Sequence, residues 1–280
     1  MKINLIKAGL FGSPVSRSLS PDLFRIFSRL CGVEIRYEAR EVRPAELRLA
    51  AQQAAAEGWA GFNVTIPDKQ AACALLRLAD PAARAAGAVN AVRCAKGGFE
   101  GLNTDARALV EIFSERGLSL TGKTASVFGS GGAAGAAGWA LGRGRAARVT
   151  FRARSHHQAS ALTARLEECF PDTVFTAAPF AAPEAPEDIL VNATPLGMYE
   201  PGTPPCSPSS GSLCIDLAYA PGGTPFIKAA GAAGARTIDG LEVLVWQAAL
   251  SLRFWAGLPS GDMVKFKTEA LELLKTEKGF

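Results

Sequence analysis

The stretch KTASVFGSGGAAGAAGWAL, Lys123 to Leu141, constrains this chain more than any other. A short apolar strand, Lys123 to Phe128, runs without a linker into a glycine-rich turn and then into a helix of small residues. Gly129, Gly131 and Gly132 can take backbone angles closed to other residues, and their amides can come close to a ligand. Ala133, Ala136 and Ala137 allow the helix to lie tight against the strand. Strand, turn and helix make the first half of a βαβ unit, so a parallel α/β sheet is expected here. With Ala134 in the last glycine position, the spacing is a permitted form of G-x-G-x-x-G, whose helix N-terminus receives a pyrophosphate. A dinucleotide site is therefore expected at Gly129, Ser130, Gly131, Gly132 and Ala133. The alternative is a tight structural turn.

The next strand, Arg148 to Arg152, bears on which dinucleotide. An NAD site usually ends that strand in an acid that holds the ribose hydroxyls. Here the chain reads FRARSHH and offers no acid. Guanidinium groups suit a 2′-phosphate, so NADP is expected, held by Arg154 and Ser155. A solvated basic loop is the plain alternative. The α/β series continues with a helix from Gln158 to Cys169, a weak strand near Val174 to Ala177, and strands at Ile189 to Asn192 and Leu213 to Leu217. Pro179 to Pro186 and Pro201 to Ser212 read as loops.

The first third also alternates. A strand near Leu5 to Phe11 leads through GSPVSRSLSP into a helix from Pro21 to about Cys31, with Ser20 as its expected N-cap. Ser18 is not explained by capping, and two hydroxyls beside a helix start could bind a carboxylate. A strand at Ile35 to Val42 and a helix from about Pro44 to Glu57 follow. GFNVTIPDKQ begins as a strand in which Phe62, Val64 and Ile66 alternate with Asn63 and Thr65, and Pro67 should end it. An Ala-rich helix around Gln70 to Ala79, a hairpin through Gly97-Gly98 and a connecting helix from Ala106 to Arg116 come next. Helices at Val243 to Trp255 and Asp262 to Lys275 close the chain. The fold class expected is α/β, and 280 residues suffice for two modest domains or one large one.

Composition removes several kinds of function. Hydrophobic residues make up 48% and charged ones 20% of the 280, so a packed protein is expected. The net charge of +4 is too mild for a nucleic-acid surface, and no aromatics interleave with basic clusters. No membrane span or secretory segment is read, and Cys31, Cys73, Cys94, Cys169, Cys206 and Cys214 form no C-x-x-C pair. These readings imply a cytoplasmic protein with reduced, mostly buried thiols. The two histidines, His156 and His157, are adjacent, which argues against a zinc site. Acid/base chemistry must then rest on other groups. Lys69, facing Asp105 of the NTD stretch, is the best candidate pair, because a carboxylate can keep a lysine oriented for proton transfer. The plainer reading has Thr104 or Asp105 capping a helix. Tyr219 in DLAYAP reads first as a rim residue, and Met198 in VNATPLGM as packing. Gln247 sits in an apolar helix, so its amide either faces a ligand or satisfies backbone.

Taken together, these motifs resemble the shikimate dehydrogenase family along nearly the whole chain. S-x-S-P, N-V-T-x-P-x-K, G-A-V-N, N-T-D, G-x-G-G-A, N-A-T-x-x-G-M, D-x-x-Y-x-P and Q-A-A occur in the family's order. The resemblance implies reversible, NADP-dependent reduction of 3-dehydroshikimate to shikimate. Ser18 and Ser20 would bind the shikimate carboxylate, and Asn63, Thr65, Asn90, Asp105, Tyr219 and Gln247 would surround its ring. Lys69 would carry the proton, paired with Asp105, with Pro67 turning it out of the sheet. Thr194, Met198 and Gly240 would join the cofactor contacts. The implied organisation is a mixed-sheet substrate domain at 1–105, a Rossmann NADP domain at 106–239, and helices at 240–280 that return to the first. A monomer or homodimer acting on a small molecule is expected, with no nucleic acid, membrane or metal involved. The chain departs from the family pattern at Arg17, where histidine is common, at Ala91, where threonine follows G-A-V-N, and at Ala153. Val243-Leu244 replaces methionine-leucine. The alternatives left by these departures are a quinate or aminoshikimate paralogue, using NAD in one form, and a non-catalytic ligand sensor of the same fold. A methylene-tetrahydrofolate-type dehydrogenase is a third.

Overall fold

The computed structural model describes residues 5–65, 68–198, 202–257 and 263–280, with the backbone alone at 77–79. The chain divides into two compact units, Met1–Thr104 with Leu244–Glu277, and Asp105–Val243 with Lys278–Phe280. Each unit is built on a six-stranded sheet.

The first sheet contains β1 (Leu5–Gly12), β2 (Glu34–Glu41), β3 (Gly61–Val64), β4 (Leu76–Ala79), β5 (Ala91–Ala95) and β6 (Gly98–Leu102), in the order β2-β1-β3-β5-β6-β4. It is mixed: β1 runs parallel to β2 and β3, whereas β5 is antiparallel to both β3 and β6. All four residues of β3 are buried, because both faces of the sheet are covered. On one face Phe11, Trp59, Phe62, Val64 and Val92 pack with Leu47, Ala51 and Ala54 of α2 (Leu47–Ala56). Elsewhere Phe24 of α1 (Ser20–Cys31) stacks on Tyr37 with ring centroids 4.0 Å apart. Trp255 of α8 (Gly240–Ala256) donates its indole N–H to Val92 O, and Phe266 of α9 (Met263–Lys278) meets Phe27.

Several local expectations are corrected here. Ser20 is the first residue of α1 and not its cap; Leu19 holds the cap position, and Ser18 Oγ accepts from Ser20 N at 3.2 Å. The expected helix at Gln70–Ala79 is a 3-10 stretch, Ala71–Leu75, followed by β4, which pairs parallel with β6. Alanine propensity yields there to the free edge of a sheet. Pro81 then opens α3 (Pro81–Ala86), capped by Asp80, whose carboxylate accepts from Ala83 N at 2.8 Å. The helix expected from Pro44 starts as a 3-10 turn, Pro44–Glu46. Ile66, Pro67, Pro201 and Asp262, which entered the readings above, lie outside the described residues.

The second sheet contains β7 (Thr124–Phe128), β8 (Arg148–Ala153), β9 (Val174–Pro179), β10 (Ile189–Asn192), β11 (Leu213–Asp216) and β12 (Arg236–Ile238). It is parallel throughout, in the order β12-β11-β10-β7-β8-β9. The chain winds outward from β7 in one direction and then from β10 in the other. The boundary between β7 and β10 is the switch point at which open α/β sheets bind ligands. α4 (Thr104–Glu115), α5 (Gly132–Arg143), α6 (His156–Glu167) and α7 (Pro225–Ala232) complete the series. α6 begins at His156 because Ser155 caps it, Oγ accepting from Gln158 N at 3.3 Å. The thiols depart from expectation as well: Cys206 and Cys214 are buried, Cys31, Cys73 and Cys94 are half-buried, and Cys169 is exposed. Among the described residues no helix is long and apolar enough to cross a membrane.

Candidate active site

In the first unit, the C-terminal end of β3 lies beside the start of β5 and the middle of α8. Their polar side chains join in one buried network. Asn63 donates from Nδ2 to Asn90 O and to Ser251 Oγ, both at 2.9 Å, and its Oδ1 accepts from Tyr37 Oη at 2.9 Å. Asn90 donates from Nδ2 to Thr104 Oγ1 at 2.9 Å and to Gln247 Oε1 at 3.3 Å, while its Oδ1 accepts from Thr104 N at 2.6 Å. Ser251 Oγ donates to Gln247 O at 2.8 Å, and Gln247 Nε2 to Leu244 O at 2.8 Å. Asn63, Asn90, Thr104, Gln247 and Ser251 are all buried. Burial without partners would cost each amide a few kcal/mol, and the mutual pairing offsets that.

Three of the expected substrate residues, Asn63, Asn90 and Gln247, are thus brought together. Tyr37, Thr104 and Ser251 complete the network; Thr104 was read in the sequence only as a helix cap, and Tyr37 and Ser251 were missed. Ser251 could have been found, since it stands one helical turn after Gln247 on the same face. Tyr37 gave no signal, because a tyrosine in a strand is ordinary packing material. Burial holds the pKa of its phenol well above the usual range. Of the residues expected at the carboxylate end, Ser20 is buried, Ser18 half-buried and the neighbouring Arg17 exposed.

Thr65 N donates to Phe11 O at 2.9 Å, and Val89 N to Lys69 O at 2.8 Å, so backbone bonds anchor the residues that follow β3. Lys69 is half-buried. Asp68 before it is fully buried, and neither carboxylate oxygen finds a hydrogen-bond partner among the described residues; burial pushes its pKa up. In the second unit Asp105 is half-buried in the first turn of α4.

The glycine-rich turn lies at the C-terminal edge of β7. Gly129 has φ +119°, a conformation that favours glycine, and a Cβ there would stand 3.0 Å from Ala193 O. Gly131 caps α5 with no side-chain hydrogen bond, and nothing lies within 4 Å of where its Cβ would be. Gly132 and Ala133 open that helix. Its first-turn amides therefore face a space that a pyrophosphate fits. Ser130 Oγ donates to Gln158 Oε1 at 3.3 Å, across to α6. Arg154 is exposed after β8 and makes no hydrogen bond or ion pair among the described residues. Arg152 instead turns onto the sheet, Nε donating to Ser126 Oγ at 3.0 Å. Thr194 Oγ1 donates to Asn192 Oδ1 at 2.6 Å, and Met198 N to Pro195 O at 3.1 Å. Gly240 starts α8 against Ala218 O, which a Cβ would approach to 2.2 Å. Half-buried Tyr219 lies 6.3 Å, centroid to centroid, from Phe280.

The family model for the shikimate dehydrogenase substrate binding domain matches residues 10–92, the segment that contributes Ser18, Ser20, Asn63, Lys69 and Asn90. A relative from Anaeromyxobacter sp., named shikimate dehydrogenase (NADP(+)), is 40% identical over 255 residues, 89% of this chain and 90% of its own. The chain belongs to the shikimate dehydrogenase family. Among solved structures, the shikimate 5-dehydrogenase of Thermus thermophilus in complex with NADP(H) and shikimate is 31% identical with a TM-score of 0.79, covering 96% of this chain and 99% of that one. The ligand-free 5-ketofructose reductase of a Gluconobacter strain is 28% identical with a TM-score of 0.86, covering 99% and 100%. The two-domain α/β fold is that of this family's solved structures, with a mixed sheet and a parallel, Rossmann-like sheet.

Proposed function

We propose that this chain is an NADP-dependent shikimate dehydrogenase that reversibly reduces 3-dehydroshikimate to shikimate. The observation that carries the reading is the relative of that name aligned over nine-tenths of both chains, a span that takes in both sheets. The unit with the mixed sheet is assigned the substrate, and the unit with the parallel sheet the cofactor.

Gly129, Ser130, Gly131, Gly132 and Ala133 would hold the pyrophosphate, and Arg154 the 2′-phosphate, with Thr194, Met198 and Gly240 toward the other end. NADP, when bound, supplies or accepts the hydride. On the substrate side Ser18 and Ser20 take the carboxylate, while Gln247, Thr65 and Tyr219 address the ring hydroxyls. Gln247 suits this well, because among the described residues Leu244 O takes one of its two Nε2 hydrogens and leaves the other. Asn63 and Asn90 hold the floor of the site in register. Lys69 moves the proton to and from the oxygen of the carbon being reduced, and Asp105 supplies the carboxylate that orients it.

Initial rates of shikimate oxidation with NADP and NAD side by side test this. Turnover with NADP and little with NAD is expected, and Lys69→Ala should lower kcat by about 10²–10⁴-fold while the chain still binds shikimate. Turnover with NAD alone would remove the Arg154 assignment. The TM-score of 0.86 to a 5-ketofructose reductase favours one second reading, a reductase of a ketose without a carboxylate. Faster reduction of 5-ketofructose than of 3-dehydroshikimate would establish it. Activity confined to quinate would mark a paralogue, and ligand binding without turnover a sensor.

A further inference from the structure

The second unit buries a carboxylate that the reading above does not use. Asp216, the last residue of β11, has no exposed surface. Its Oδ1 accepts from Asn192 Nδ2 and from Ala218 N, each at 2.9 Å, and its Oδ2 from Thr224 Oγ1 at 2.5 Å. No lysine or arginine forms an ion pair with it among the described residues. The charged group that faces it is Asp239, of its own sign, from the turn ahead of α8. Asp239 is itself held, its Oδ1 accepting from Leu241 N at 2.7 Å. An anion kept in the interior by neutral donors alone costs folding energy.

The three donors show what that cost sustains, because each belongs to a different segment. Asn192 ends β10 and holds the following turn, its Oδ1 accepting from both Thr194 N and Thr194 Oγ1 at 3.1 and 2.6 Å. That turn runs on to Met198. Ala218 precedes Tyr219, and its carbonyl is the surface against which Gly240 packs. Thr224 caps α7, its Oγ1 accepting from Ile227 N at 3.2 Å. One acceptor-only side chain therefore ties together the ends of β10 and β11, the 217–224 turn and the head of α8. An asparagine could not replace it, since its Nδ2 would point a donor at a donor.

The strand order fixes which part of a dinucleotide lies nearby. The pyrophosphate belongs at the turn after β7 and the phosphorylated ribose at the end of β8. The other half must extend the opposite way, over β10 and β11. We infer that Asp216 is a positioning residue for the nicotinamide half of the cofactor, acting through Asn192, Ala218 and Thr224. This rests on the NADP reading and adds a residue to it.

The test compares dissociation constants of the full-length chain for NADP+ and for 2′-phospho-ADP-ribose, which has the same phosphates and lacks only the nicotinamide. Asp216→Asn should weaken NADP+ by about tenfold or more and leave the truncated ligand within about twofold. In the wild type, the affinity ratio of the two should fall as pH drops through about 6, where burial places the Asp216 pKa. The ratio should be flat in the variant, whereas shared phosphate titration cancels. Equal weakening of both ligands, or no change in either, overturns the inference. Should Asp216→Asn fail to fold, Thr224→Val removes one donor and keeps the charge. A loss of about threefold for NADP+ alone is then expected, and equal binding overturns the inference. A wild-type chain that binds neither ligand removes the NADP reading itself, and this inference with it.

Discussion

Asn63 and Asn90 spend their hydrogen-bonding capacity inside the protein. Both Nδ2 hydrogens of Asn63 are engaged, by Asn90 O and Ser251 Oγ, and so are both of Asn90, by Thr104 and Gln247. Thr104 has one hydroxyl proton for three acceptors, Asn90 Oδ1 at 3.2 Å, Ser251 Oγ at 3.3 Å and Gln247 Oε1 at 3.5 Å. Which acceptor takes it decides how Gln247 presents its amide. Ser251→Ala should therefore act on substrate binding through Asn63 and Thr104. We expect the KM for shikimate to rise several-fold, with NADP+ affinity unchanged and stability lower by about 1 kcal/mol. An unchanged KM in steady-state kinetics would show that the network is structural only. The sequence made Asn63 and Gln247 visible, because polar groups in apolar runs stand out, and Asn90 through the G-A-V-N motif of the family it resembles. It could not reveal that they bond to one another, since their partners lie 27 and 157 residues apart along the chain.

At the scale of elements, a proline after a polar residue was a poor guide to caps: Ser20-Pro21 suggested a cap that falls instead on Leu19. Asp80-Pro81 and Thr224-Pro225 both open helices, α3 and α7, and neither helix was anticipated, because six and eight residues are too few to show a clear period. The error at Gln70–Ala79 has the opposite origin. There local propensity was strong and wrong, because the segment from Leu76 is taken up by parallel pairing with β6, a tertiary contact that the alanine content does not show. The glycine-rich turn between β7 and α5 was legible because its geometry leaves few residues to choose from. Asp80 does more than cap α3, because its Oδ1 also accepts from Asn103 N at 3.2 Å, next to Thr104. Asp80→Ala should thus cost more than an ordinary cap, toward the upper end of about 0.5–2 kcal/mol in urea unfolding. Because Thr104 N bonds Asn90, the variant should also raise the KM for shikimate. A loss of stability at unchanged KM would confine Asp80 to its helix.

Across the whole molecule, two kinds of carboxylate pull stability in opposite directions with pH. Lys123 and the Thr124 backbone hold Asp188 below the usual range, so its contribution is present above its unfolded pKa and lost as pH falls. Asp216 is the reverse case, pushed up from 3.8 to about 6, chiefly by burial. Its protonated form is the one the fold prefers. Its contribution is complete below about pH 4 and is lost as pH rises through about 6, a change of about 3 kcal/mol at most. Asp216→Asn deletes this titration and leaves that of Asp188 in place. Melting temperatures of wild type and variant between pH 4.5 and 8 isolate the effect in their difference. Relative to the variant, the wild type should lose ground as pH rises to about 6 and hold a constant gap above it. A gap independent of pH would mean that the carboxylate is solvated as an ordinary surface acid. A gap that closes with pH, while NADP+ binds more weakly to the variant, would describe a molecule that gives up stability near neutrality to keep a charged acceptor beneath its cofactor-binding edge.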